Sequence, residues 1–387
     1  MAFLDDDLLE RIHNRAPRYD AENAFPTEDF AELKAAGYYG AFVPKEYGGA
    51  GLTLPEIAAE QTRLAKAAPA TALAINMHQI IVGMARWMVR RGDERGEMVL
   101  REAAEGKLYA FGISEPGNDL VLFGSITKAE SDGEGGYLLT GLKVFTSMAP
   151  AWDRLMTFGA YTAEDGVTKD VFGVILREDG GFTMKNDWDV LGMRATQSNS
   201  TRLEGAHIRK DRVLGVVDPG ASKEPVVYGI FSNFELLLGS TYLGIGERAV
   251  EVAAERVKTR RSVARADVYA TDPDIRWRIA DGALGLAAAG PFLRELEHDV
   301  ENGVDGGDAE YPRFSAAKNT AAEAAIHAVD QAIRSMGGGS YSRKGEVSRL
   351  YRDVLAGLFQ PSDQESLHGS WASLILGPVS SYAHDAE

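Results

Sequence analysis

Apolar residues recur at spacings of three and four through the first hundred positions, as in F-A-E-L-K-A-A-G (30–37) and I-I-V-G-M-A-R-W-M-V (80–89). That period predicts helices from residue 5 to about 107. Pro26, Thr27 and Glu28 mark a helix start and Gly37 a stop. Between them and the next helix lies G-A-F-V-P-K-E-Y-G-G-A-G-L (40–52), whose glycines require positive φ or close backbone approach. The pattern changes near residue 108. Y-A-F-G-I-S, G-Y-L-L-T-G, R-L-M-T-F-G-A-Y and D-V-F-G-V-I-L are short β-branched and aromatic runs broken by D-G-E-G-G and E-D-G-G. They predict antiparallel strands joined by tight turns, ending near residue 226. Helical periodicity then returns over 231–261, 274–302 and 315–335, with Pro291 predicted to kink or break the second segment.

The order predicts an α+β protein with a helical domain over 1–108, a β domain over 109–226 and a second helical domain over 227–387. The run E-L-L-L-G-S-T-Y-L-G-I-G (235–246) is apolar over more of its circumference than one helix partner covers. Burial against another subunit is the expectation, as a homotetramer or homodimer.

Charge narrows the partners. With 57 acidic against 41 basic side chains, the net charge of -16 argues against nucleic acid. There is no cysteine, which excludes disulfides, thiolate nucleophiles and Cys-ligated metals, and the seven histidines show no metal-binding spacing, so no metal is expected. Asp5, Asp6 and Asp7 stand where an export signal needs positive charge, and no apolar run approaches the roughly 20 residues of a membrane span. A soluble, cytoplasmic protein is expected. The chain lacks the G-x-S-x-G elbow of many hydrolases, a G-x-G-x-x-G after a strand, and a G-x-x-x-x-G-K-[ST] loop. Any nucleotide cofactor is held by other means. Gly337, Gly338 and Gly339 follow a helix, which fits either a helix cap or a close approach to phosphate or adenine.

The stretch L-F-Q-P-S-D-Q-E-S-L-H-G (358–369) crowds Asp363, Glu365 and His368 beside Pro361. For Asp363 and Glu365, the plain reading is helix capping or solvation, and the chemical reading is a general base.

Four passages in order resemble the acyl-CoA dehydrogenase family of flavoproteins over nearly the whole chain. V-P-K-E-Y-G-G-A-G-L (43–52) resembles its P-x-E-x-G-G-x-G turn, and F-G-I-S-E-P-G-N-D-L (111–120) a shortened T-E-P-x-A-G-S-D. G-L-K-V-F-T-S (141–147) resembles G-x-K-x-W-I-T, and M-G-G-G-S-Y-S-R-K-G-E-V-S-R-L-Y-R-D (336–353) resembles H-G-G-x-G-Y...R-L-Y-R-D. The resemblance implies a middle β-barrel or sandwich between the helical domains, a C-terminal four-helix bundle, and FAD as cofactor.

Position by position, it implies that Phe111, Ile113, Ser114 and Asn118 line the flavin, that Phe145 stacks on it, and that Ser147 donates a hydrogen bond to N5. Arg260, Arg334, Gly337 and Gly338 would hold the far end of a cofactor shared between subunits, with Ser362 and Gln364 as further contacts. Arg194 would lie at the substrate mouth. The family's catalytic glutamate falls on Gln360, and an amide cannot accept a proton at neutral pH. Glu235, on the first helix of the last domain, becomes the candidate base, with Asp363 and Glu365 behind it.

The leading expectation is α,β-dehydrogenation of an acyl thioester, carried by coenzyme A or an acyl carrier protein, with hydride passing to flavin N5 and then to an acceptor flavoprotein or oxygen. The alternatives are a flavin-dependent monooxygenase of the same superfamily, which needs no α-proton base and for which His78 is the first histidine to consider, and a flavin-binding homologue without catalysis.

Overall fold

The structure is a computed structural model and describes residues 2–377. It divides into two compact units, one of Met1–Glu60 with Ala70–Phe234 and the other of Gln61–Pro69 with Glu235–Glu387.

The first unit opens with α1 (Asp6–Glu22) and α2 (Thr27–Ala35), and α2 starts after Pro26 as its sequence signals predict. Its helical layer is completed by the start of α3 (Leu54–Ala67), by α4 (Pro69–Arg90) and by α5 (Glu97–Ala104). The glycine-rich stretch behaves as its composition requires. Gly48 and Gly51 have φ of 91° and 77°, and a Cβ on Gly49 would collide with Val43.

His78, on α4, is a buried strut. Its Nδ1 accepts from the Tyr109 N–H at 3.1 Å, so Nε2 carries the proton and donates to the Tyr39 carbonyl at 2.8 Å. Burial holds its pKa down to about 4, which keeps the ring neutral. The expectation of a histidine free to face the flavin is corrected on this point, because both ring nitrogens are already used.

Eight strands follow: β1 (Tyr109–Gly112), β2 (Lys128–Ser131), β3 (Tyr137–Lys143), β4 (Arg154–Thr162), β5 (Thr168–Leu176), β6 (Phe182–Met184), β7 (Thr201–Ile208) and β8 (Val213–Val217). They form one sheet in the order β6-β7-β3-β2-β4-β5-β8, with β1 also paired to β4. Most pairs are antiparallel, as predicted. The exceptions share one edge of β4: β1 runs parallel to its first half and β2 touches its far end at Ala160.

A buried ion pair fixes the turn after β1. Lys143 Nζ lies 2.6 Å from Glu115, which also accepts from the Ser125 hydroxyl, the Ile126 and Thr127 N–H groups and the Asn118 amide. Burial pushes the Glu115 carboxyl up, but Lys143 and these donors outweigh it and draw its pKa down to about 2.

In the second unit α6 (Pro225–Thr259), which begins in the first, is central. Against it pack α7 (Pro273–Asn302), α8 (Glu310–Met336) and α9 (Glu346–Val354), while α10 (Gln364–Leu376) lies on α8, and a short hairpin of β9 (Arg261–Ser262) and β10 (Asp267–Val268) follows α6. Gly239 abuts Leu293 and the Lys318 backbone, and Gly246 abuts Leu286 and the Ala325 backbone. The missing side chains let α7 and α8 lie close against α6.

Of the kink or break expected at Pro291, the break does not occur. α7 runs through Pro291, since the buried Leu286, Leu293 and Leu296 anchor it on both sides of the proline. The apolar residues of α6, Leu236, Leu237, Leu238, Tyr242 and Ile245, are all buried within one chain. Uncovered apolar side chains lie on α7 and α10, at Trp277, Leu284, Ile375 and Leu376. Among the described residues no helix is long and apolar enough to cross a membrane, and no group of three His, Asp or Glu side chains is placed to hold a metal.

Lys143→Met removes one partner of the buried pair and should cost about 3–5 kcal/mol in urea unfolding. For the parent chain, the ordinary carboxyl value of 4.5 falls to about 2 on folding. Stability from Glu115 is therefore full above about 4.5 and is lost as pH falls toward 2, a dependence that Glu115→Gln should flatten.

Candidate active site

In the first unit, β1 and the segment after β3 lie side by side, joined by the Val144 N–H to the Ser114 carbonyl at 2.9 Å. Phe111 and Ile113 are buried along this wall, with the Phe111 ring 6.0 Å from Phe234. Phe145 stands apart: it has a left-handed φ of 59° and remains 62% exposed, resting edge-on against Trp188. A large aromatic held in the open by a backbone conformation rare for its type needs a reason.

Directly after it, Thr146 Oγ1 is buried with no hydrogen-bond partner. The Ser147 hydroxyl is buried 2.8 Å from the Ser198 hydroxyl, which lies 2.7 Å from that of Thr196.

Two expected residues of this unit are committed elsewhere. Asn118 uses its amide within the turn, donating to Glu115 and to the Gly124 carbonyl at 2.7 Å each and accepting from the Leu120 N–H at 3.1 Å. Arg194 ties the end of α1 to its own loop, through the Asp20 carbonyl at 2.8 Å and the Val190 carbonyl at 3.0 Å. Its guanidinium does not stand free at a substrate mouth.

In the second unit residues 359–363 form a turn between a short 3-10 helix (Leu355–Leu358) and α10, whose first half holds 364–369. Asp363 caps α10, accepting from the Ser366 N–H at 2.9 Å, and Glu365 is exposed in its first turn. These acids start a helix. His368 sits beside the Gln364 carbonyl at 2.6 Å, on the exposed side.

The chemistry-bearing contacts are made by the turn's backbone and by Gln360. Lys318, buried on α8, donates to the Gln360 carbonyl at 2.8 Å and to the Ser362 carbonyl at 2.5 Å, and Asn319 adds a bond to the latter at 2.9 Å. Glu235 faces the same turn. Its Oε1 accepts from the Ser362 N–H at 2.8 Å, while Oε2 is buried without a partner. Burial pushes this carboxyl up to about 7, with the Lys318 charge and the Ser362 N–H drawing it back. The Gln360 side-chain oxygen accepts from the Tyr242 hydroxyl at 2.6 Å.

At the end of α8, the Arg260 guanidinium donates to the Met336 carbonyl, lies 4.3 Å from the Tyr269 ring and packs against Gly337. Gly337 has a φ of 74°, and the space around Gly338 is open. Arg334 pairs with Asp330 one turn back on its own helix, at 2.7 Å.

Sequence reasoning missed Lys318, Tyr242, Trp188, Ser198 and Thr196. The signal for Lys318 was present: in A-A-K-N-T-A-A (316–322) a lysine interrupts an alanine-lined face. The clustered hydroxyls of T-Q-S-N-S-T (196–201) were likewise visible.

Comparison with known proteins agrees with the helix, sheet, helix order. The family description "Acyl-CoA dehydrogenase, N-terminal domain" matches residues 5–107, and "Acyl-CoA dehydrogenase, C-terminal domain" matches 226–359. The chain belongs to the acyl-CoA dehydrogenase family. It is 32% identical to the L-evernosamine nitrososynthase of a Micromonospora strain, covering 91% of this chain and 84% of that one. It is 25% identical to a putative acyl-CoA dehydrogenase, YdbM, of Bacillus subtilis, covering 92% and 91%. Among solved structures it is similar to KijD3 in complex with FMN and dTDP-3-amino-2,3,6-trideoxy-4-keto-3-methyl-D-glucose, at 28% identity and a TM-score of 0.85 over 96% of this chain and 91% of that one.

The raised Glu235 carboxyl makes a stability prediction. Because its folded value of about 7 lies above the ordinary 4.5, its contribution is fully present below 4.5 and is lost as pH rises through 7. Urea unfolding should therefore show Glu235→Gln gaining on the parent chain across that interval.

Proposed function

We propose that the protein is a flavin-dependent monooxygenase acting at an amine nitrogen, with FMN as its flavin. The observation that carries the reading is Gln360: an amide stands where the resemblance aligns the family's base, and its oxygen accepts from the Tyr242 hydroxyl. Removal of an α-proton has no acceptor there, whereas oxygen transfer to a nitrogen lone pair needs none.

The residues fit a flavin. The exposed Phe145, the apolar Phe111 and Ile113, and the orphaned Thr146 hydroxyl supply the apolar surface and the free polar atom that a flavin ring calls for. Ile113, Ser114 and Phe145 would hold the ring, with Ser147 at its reactive nitrogen. Bound and reduced, a flavin supplies two electrons and two protons, with which dioxygen yields one oxygen atom on the nitrogen and one water.

FMN is favoured over FAD by the groups expected at the adenosine end. Arg260 is engaged with the Met336 carbonyl and the Tyr269 face, and Arg334 with Asp330. Neither guanidinium is held ready for a pyrophosphate. The similarity to a nitrososynthase and to a protein solved with FMN and an amino-sugar nucleotide supports both choices.

Dehydrogenation of an acyl thioester is the second reading, and one observation favours it. Glu235 Oε2 is an unpartnered carboxylate oxygen on a group whose pKa is raised to about 7, as a general base requires.

Anaerobic titration separates the two. Oxidised holoenzyme should not bleach near 450 nm with any of a panel of acyl-CoA thioesters, and FMN should bind at least tenfold more tightly than FAD. Bleaching in the parent chain that Glu235→Gln abolishes would replace the monooxygenase reading with the dehydrogenase one.

A further inference from the structure

The hydroxyls of Ser147, Ser198 and Thr196 form a line that ends on a carbonyl. Ser147 Oγ is 2.8 Å from Ser198 Oγ, Ser198 Oγ is 2.7 Å from Thr196 Oγ1, and Thr196 Oγ1 is 2.9 Å from the Met193 carbonyl. All three side chains are buried. Each hydroxyl carries one hydrogen, whereas a carbonyl only accepts.

Two settings keep both hydroxyl–hydroxyl links, and only the first also makes the bond to the Met193 carbonyl. If Thr196 gives its hydrogen to the Met193 carbonyl, Ser198 must donate to Thr196 and Ser147 to Ser198. Ser147 then presents lone pairs alone to whatever lies beyond it. In the reverse setting Thr196 donates to Ser198, Ser198 donates to Ser147, and Ser147 donates outward. The Met193 carbonyl is not stranded by this, because the Trp188 Nε1–H still reaches it at 3.3 Å. Three O–H rotations interconvert the settings, and no heavy atom moves.

We infer that Ser147, Ser198 and Thr196 are a two-setting hydroxyl relay, which makes Ser147 an acceptor or a donor according to the protonation of the flavin nitrogen it meets. This rests on the flavin reading above. Oxidised flavin has an acceptor at N5 and reduced flavin an N–H, so one fixed hydroxyl hydrogen would suit only one of them. The bond from Thr196 to Met193 exists only in the accepting setting and therefore weights the relay toward the reduced cofactor. Ser198 and Thr196 are positioning residues, acting through Ser147. The sequence-based expectation of Ser147 as a standing donor is thereby revised: with its hydrogen held by Ser198, it is first an acceptor.

Thr196→Val tests the relay. The valine keeps the shape but removes the terminal bond, so the Ser198 hydrogen turns to Ser147 and fixes it as a donor. The ratio of reduced to oxidised FMN affinity, from fluorescence titration with oxidised FMN and anaerobic titration with reduced FMN, should shift about fivefold toward the oxidised form, the worth of one hydrogen bond. Thr196→Ser should restore the parent ratio, which a general loosening of the fold would not permit. Ser198→Ala, which leaves Ser147 free to rotate, should give an intermediate ratio. If FMN binds and the Thr196→Val ratio stays within twofold of the parent, the relay is overturned while the flavin reading stands. If the parent chain binds neither form of flavin, both are overturned.

Discussion

Lys318 lies buried because the backbone comes to it. A lysine held inside a helical unit must find acceptors for its charge, and the carbonyls of Gln360 and Ser362 supply them. Glu235 takes the N–H of the same Ser362. A buried lysine and a buried carboxyl thus grip one three-residue turn from its acceptor and donor sides, and the turn's shape follows from that grip. It sets Gln360 against Tyr242 and starts α10 at the Asp363 cap. The turn is thus built around an amide at Gln360.

The proposed reading lets a family fold and a change of chemistry coexist. The helices and the sheet are specified by many apolar positions, and one substitution does not disturb them. The proposed reaction depends on a few side chains, where a single replacement changes what can accept a proton. Glu235 is engaged with the backbone of the turn. Half of its carboxylate is spent on the backbone, and its burial favours the neutral form.

The fold was legible because its signals are repeated. The switch of period near residue 108 and its return near 231 are averaged over many residues, so the helix, sheet, helix order emerged from the sequence. Pro291 does not break α7, because leucines on both sides of it anchor the helix. The breadth of the apolar face on α6 did not reveal what covers it, because the number of partners surrounding a helix is a tertiary property. At the site, Glu235 was legible as a carboxylate to consider on the first helix of the last domain, and the structure bonds it to the Ser362 N–H. Lys318, Tyr242 and the hydroxyl line were not, since each gains its meaning from a residue distant in sequence: Lys318 from 360 and 362, Tyr242 from 360, Ser147 from 198. His78 showed the converse. It was conspicuous in the sequence, yet its two nitrogens serve Tyr39 and Tyr109.

The central claim is that this chain transfers oxygen to a nitrogen where relatives remove hydrogen from carbon. The direct measurement supplies chemically reduced FMN and isotopically labelled dioxygen to the holoenzyme with amino-sugar nucleotides, then follows product mass. The account predicts one labelled oxygen atom on the amine per flavin oxidised, with the second recovered in water. Oxidation of the flavin with no label in any amine product, together with desaturation of an acyl thioester by the same preparation, would contradict it.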